Sequence, residues 1–150
     1  MSATFPLQVA LEEALTGDVT LAAMLVGDGV FARRAPDGTP LNAVGGRVGY
    51  IVLGSSSEDD SGDFGRVSAS HFGRDGTSNR ETLHIWSDNI ADAKAIYAEV
   101  ERLLDRTRLT LDGHTMVHGR LSYLTDLTDP DGAAVQIIAR YRAWALEGAA

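Results

Sequence analysis

TLHIWSDNIADAKAIYAEVERLL, residues 82–104, decides the fold class. Its first five residues alternate. Leu83 and Ile85 point one way, and His84 and Trp86 the other, which is the period of two that a strand produces. Ser87 or Asp88 then caps a helix over about 89–106. Ala93, Ile96, Tyr97, Val100, Leu103 and Leu104 form one apolar stripe on it, while Lys94, Glu101 and Asp105 sit off the stripe. A strand that runs straight into an amphipathic helix supplies part of a sheet and the cover for one of its faces.

Downstream, two long strands follow. In the first, Val117, Leu121 and Tyr123 share a face, with His118, Arg120 and Ser122 opposite. In the second, Val135, Ile137, Ala139 and Tyr141 share a face, with Gln136, Ile138, Arg140, Arg142 and Trp144 opposite. Asp129-Pro130-Asp131-Gly132 between them has the composition of a turn, so the pair reads as an antiparallel hairpin. Upstream, Arg66 to Phe72 reads as a strand and Gly73 to Asn79 as a polar loop. Gly54 to Gly65 (GSSSEDDSGDFG) reads as an exposed acidic loop, and Val48 to Leu53 (VGYIVL), apolar on both faces, as a central strand. Residues 33–47, with two prolines and three glycines, read as irregular, and Val30-Phe31 as a brief strand. Leu7, Leu11 and Leu15 place a short helix before Gly17, and Asp18 caps a second over Val19 to Val26. Neither helix is long enough to stand without docking. The sum is a single α+β domain over residues 1–150: an antiparallel sheet of four to five strands, packed by one long amphipathic helix and two short N-terminal helices.

Composition narrows the function. The 150 residues suit one domain with an ordinary core, and 44% hydrophobic with 23% charged residues is the globular norm. No apolar run reaches the roughly 18–20 residues of a membrane helix, and no Lys or Arg precedes Arg33, as a secretory signal would require. The expected setting is therefore cytoplasmic and without membrane contact. There is no cysteine, which removes disulfides, thiolate metal sites and cysteine nucleophiles. A net charge of −8 opposes a specific grip on nucleic acid, because such affinity comes mostly from neutralising phosphates.

The motifs for chemistry fail one after another. His114 and His118 have the i, i+4 spacing of a helical zinc pair, but on a strand they lie roughly 13 Å apart. Asp59, Asp60 and Asp63 lack the closing Glu of a calcium loop. Gly54-Ser55-Ser56-Ser57 is followed by Glu58 where a nucleophile elbow needs glycine. Lys94, the only lysine, lies inside a helix far from any glycine-rich phosphate loop. Asp129 and Asp131 are explained as turn formers, and Glu12-Glu13 as a solvated helix face. No catalytic residue, metal or cofactor is expected.

The second face of the sheet is less ordinary. Trp86, Ile138 and Trp144 fall there with His84, His118, Arg120, Arg140 and Arg142. Either the N-terminal helices cover this face or a neighbouring subunit does. Trp and Arg are enriched at protein interface hot spots. That favours the subunit, with acidic groups of one copy meeting arginines of the next. The expected interface is Trp86, Arg120, Ile138, Arg140, Arg142 and Trp144.

The order of elements is itself distinctive. Two short helices (LQVALEEALTGDVTLAAMLVGDGVF) lead through a loop to GYIVLG, then to TLHIWS, AKAIYAEVERLL and a strand pair around Asp-Pro-Asp-Gly. Over about residues 5–146 this resembles the tail terminator proteins (tail-completion or head–tail joining proteins) of long-tailed phages and gene transfer agents. Leu15–Phe31, Tyr50–Gly54 and Thr82–Ser87 carry the resemblance most closely. It implies a virion protein of the tail or neck, assembled in the host bacterial cytoplasm and without enzymatic activity. It further implies a ring of six copies that caps the tail tube and stops its polymerisation. Its partners would be the tail tube protein and a head-side connector or stopper, and DNA would pass through the lumen without specific binding. Glu58, Asp59, Asp60 and Asp63 are expected to face that lumen or the head-side partner. Two alternatives stand beside this reading. One is a neck or head-completion protein. The other is a small α+β enzyme or ligand-binding domain using His84, His118 and Tyr123.

Overall fold

The computed structural model describes residues 4–59, 76–130 and 132–147. The chain opens with α1 (Thr4–Thr16), which buries Leu7, Leu11 and Leu15 completely or nearly so. It closes on Gly17, whose N–H donates to the Glu13 carbonyl at 2.9 Å. Asp18 caps α2 (Val19–Ala22) by accepting from the Leu21 N–H, also at 2.9 Å.

The second helix is a single turn, where the sequence predicts two. Leu25–Ala32 instead forms strand β1. Leu25, Val26 and Val30 are buried there, so tertiary pairing overrides local helix preference. Gly27 and Gly29 have positive φ (63° and 81°) and make a bulge. Leu25 pairs with Gly49 and Val30 with Ile51, so the bulged strand spends five steps against two of its partner. Arg47 Nη1 donates to the carbonyls of Ala22 (3.1 Å) and Leu25 (2.7 Å), which satisfies the end of the short helix.

The remaining elements are β2 (Gly49–Asp59), β3 (Gly76–Ser87), α3 (Ile90–Leu104), β4 (His114–Thr128) and β5 (Val135–Glu147). They form one five-stranded sheet in the order β1-β2-β3-β5-β4. β2–β3, β3–β5 and β5–β4 are antiparallel, but β1 and β2 are parallel. The sheet is therefore mixed, which corrects the expectation of a purely antiparallel one. The long connection between β1 and β2 is what permits it, since parallel neighbours need a crossover of about a dozen residues or more.

Both strands around the acidic segment are longer than their composition predicts. Glu58 pairs with Asn79 and Asp59 with Ser78 in the β2–β3 ladder. The expected loops at Gly54–Gly65 and Gly73–Asn79 are thus strand where they are described. A backbone ladder already in register continues through polar residues, because its hydrogen bonds do not depend on side chains. Asp60, Asp63 and the strand expected at Arg66–Phe72 lie outside the described residues.

One core holds the layers together. Ile51, Leu53, Leu83, Ile85, Ile137, Ala139 and Tyr141 meet Leu11, Leu15, Leu21, Ala93, Ile96, Val100 and Leu104 in a single buried cluster. The three described helices therefore pack on the same face of the sheet. Gly49 sets how closely α3 approaches. A Cβ there would collide with the Trp86 carbonyl oxygen and lie 2.8 Å from Ile96 Cδ1. The cap of α3 is Asn89, whose side chain accepts from the Asp92 N–H at 2.8 Å, rather than Ser87 or Asp88. Those two are engaged elsewhere. The Ser87 hydroxyl donates to the Val48 carbonyl at 2.6 Å, and the Asp88 carboxylate accepts from the Asn42 and Asn89 amides.

Candidate subunit interface

The face away from the helices is built by register. Trp144, Arg142, Arg140, Ile138 and Gln136 on β5 stand opposite Ser78, Arg80, Thr82, His84 and Trp86 on β3. On the other side of β5, His118, Arg120 and Ser122 of β4 stand opposite Trp144, Arg142 and Arg140. Arg80, Arg142 and Arg120 thus form one row across three strands. Like charges directly opposite each other repel, so each must be compensated. Arg142 donates through Nε to the Ser78 hydroxyl at 2.7 Å and lies 4.9 Å from the centroid of the Trp144 ring. The opposite flank of Trp144 meets His118, with ring centroids 5.2 Å apart. Arg120 turns over the sheet edge to Asp105 at 3.1 Å. Arg140 is exposed.

Burial tunes the middle of this face. Gln136 Nε2 donates to His84 Nδ1, which leaves the ring proton on Nε2. The ring lies so close over Gly54 that a Cβ there would sit 2.6 Å from His84 Nε2. Desolvation lowers the His84 pKa below its ordinary value and raises that of Tyr50. Phe31 meets Tyr50 edge-on at 5.8 Å. The Asp105 carboxyl is held below the usual range, chiefly by the Leu121 N–H at 2.9 Å and then by Arg120. Arg106 N–H donates to the Gly119 carbonyl, so the end of α3 clasps the outer edge of β4.

All six residues that the sequence assigns to the interface hold register positions on this face, although the Arg120 guanidinium reaches over the edge to Asp105. Arg140 and Arg120 are exposed, while Trp86, Ile138, Arg142 and Trp144 are half-buried among their strand neighbours. The N-terminal helices do not cover them, because those helices belong to the other layer. Arg80 belongs to the same row and is absent from the sequence reading. The expected loop to Asn79 hid it, although the alternation Ser78, Arg80, Thr82, His84, Trp86 extends the strand in plain view. Of the acidic group, Glu58 and Asp59 lie in β2.

His84, His118 and Tyr123 are not brought together. His118 is at the Trp144 end of the face. Tyr123 packs edge-on against Tyr97 at 5.2 Å, and its hydroxyl donates to Asp126 at 2.6 Å. Neither the cavity beside α2 nor the groove beside α1 is lined by any of the three. His114 is buried with Nδ1 near the Asp112 carbonyl, and a bulge between Met116 and His118 separates it from His118. Among the described residues no group of three or more His, Asp or Glu could hold a metal ion. None of the described helices is long and apolar enough to cross a membrane.

Among the described residues the architecture is that of an α+β protein with a mixed five-stranded sheet, three helices on one face and an arginine- and tryptophan-bearing surface on the other. The family model described as "Tail completion protein gp17" matches residues 9–146, and the chain belongs to that family of phage tail-completion proteins. The fold is also that of a chain in the solved virion of a native gene transfer agent particle. The TM-score is 0.72 at 23% identity, and the match covers 98% of each chain. No curated protein matches the sequence.

Proposed function

We propose that the chain is a tail terminator. Copies associate side by side through the Arg- and Trp-bearing sheet face into a hexameric ring. The ring caps the finished tail tube, stops its polymerisation and joins it to a head-side connector, with DNA passing through the lumen. It works by contact rather than by catalysis, and it is assembled in the host bacterium. Membership in the tail-completion family supports the setting. The observation that carries the association is the sheet face turned away from the described helices, with exposed Arg140 beside half-buried Trp144.

Closed symmetry suits such a surface. A heterologous patch that repeats around a ring leaves no sticky remainder and covers sheet edges. Six copies would carry a net charge on the order of −48, which would keep DNA moving through instead of binding it. Glu58, Asp59, Asp60 and Asp63 serve the lumen or the head-side contact on this reading. Neutralising all four is expected to impair joining or DNA delivery, and unchanged particle yield and delivery would remove that role.

Native mass measurement, on the chain alone and bound to tail tubes, tests the association. Arg140→Glu and Trp144→Asp are each expected to abolish the ring and leave a folded monomer. A variant that still assembles into a six-copy ring would refute the assigned interface.

A further inference from the structure

We propose that the Arg140–Trp144 face of one copy is received by the groove between α1 and the segment just before β4 on the next copy. This rests on the ring reading above and names its missing half. The groove holds about 350 Å³. Phe5, Pro6, Val9 and Ala10 supply its apolar floor, and Glu13 and Asp112 bring carboxylates to its rim. Phe5 is 72% and Val9 38% exposed, on the same helix whose Leu7 and Leu11 are almost wholly buried. A helix that buries one face completely while leaving a phenylalanine and a valine in water has a second surface to satisfy.

Charge selects the occupant. An apolar floor with an acidic rim complements a tryptophan flanked by arginines, and the opposite sheet face of this chain carries that combination. The other candidates fit less well. The cavity between α2 and β1 is lined by Asp18, Asp28 and Arg47, but Asp18 is already paired with Arg102 and Arg47 offsets Asp28, so it offers an incoming arginine no uncompensated carboxylate. The end of β4 exposes Leu124 and Leu127, but the Asp126 carboxylate there already accepts the Tyr123 hydroxyl. The groove belongs to the helix layer, and the arginines belong to the sheet face turned away from the described helices. The contact therefore joins the front of one copy to the back of the next, a head-to-tail arrangement of the kind that forms a ring when the rotation between copies closes.

The test compares wild type, Glu13→Arg, Arg140→Glu, Val9→Asp and the double variant Glu13→Arg/Arg140→Glu. The readout is native mass, on the chain alone and bound to tail tubes, with thermal melting as the check on folding. Each single variant is expected to lower the ring fraction roughly tenfold or more, and the charge-swapped double to restore it to within about twofold of wild type. Two results overturn the groove while leaving the ring reading intact. One is a ring lost in Arg140→Glu but kept in Glu13→Arg and Val9→Asp; the other is a double variant no better than its parents. A ring that persists in Arg140→Glu refutes the ring interface itself.

Discussion

Asp105 shows how much one side chain does at the edge of the sheet. Its Oδ1 accepts both the Leu121 N–H and Arg120 Nε, joining the end of α3 to β4. Asp105→Ala leaves that N–H without its partner and is expected to cost on the order of 1–3 kcal/mol at neutral pH, read by chemical denaturation. The folded-state pKa lies below the ordinary value of 3.8. The contribution is therefore complete above pH 3.8 and is lost as pH falls through the lower folded value, so variant and wild type should converge in strong acid. His84 behaves in the same sense in a different window. Burial depresses its pKa below 6.5, so stability is complete above pH 6.5 and declines as acid protonates the unfolded chain preferentially. His84→Asn should flatten that part of the melting-temperature profile. Gly49→Ala should destabilise by about 1–3 kcal/mol or more, because the added Cβ meets backbone at Trp86 as well as the tip of Ile96.

At the scale of elements, α3 is the fastening of the fold. Ala93, Ile96, Val100 and Leu104 are all completely buried along it. Ile96→Ala is expected to cost about 2–5 kcal/mol, measured as a shift in the denaturation midpoint. This helix was legible because its apolar stripe repeats over four turns, and the hairpin of β4 and β5 because its residues alternate around a turn sequence. Legibility failed where local composition and long-range pairing disagreed. Leu25 and Val26 continue a helical pattern, yet β2 recruits them as strand, which no local period reveals. Glu58, Asp59, Ser78 and Asn79 have the composition of loops, yet they extend the β2–β3 ladder by register. Ser87 and Asp88 are good caps by type. The choice of Asn89 depended on contacts to Val48 and Asn42, some forty residues away in sequence.

For the whole molecule, the same alternation that packs Ile137, Ala139 and Tyr141 inside places Ile138, Arg140 and Arg142 outside. The interface candidates were therefore readable as soon as β5 was. The direction of β1 was not readable, because a parallel neighbour depends on where the crossover returns. Arg80 was hidden by a strand boundary, and the acidic-rimmed groove by its assembly from two distant segments. The central claim is that copies of this chain seal to one another through the Arg140–Trp144 face. An image of the protein on the ends of tail tubes measures this most directly. The expected result is a closed six-copy ring with Arg140 and Trp144 at every subunit boundary. A lone copy at the tube end, or a ring whose boundaries leave that face in open solvent, would contradict it.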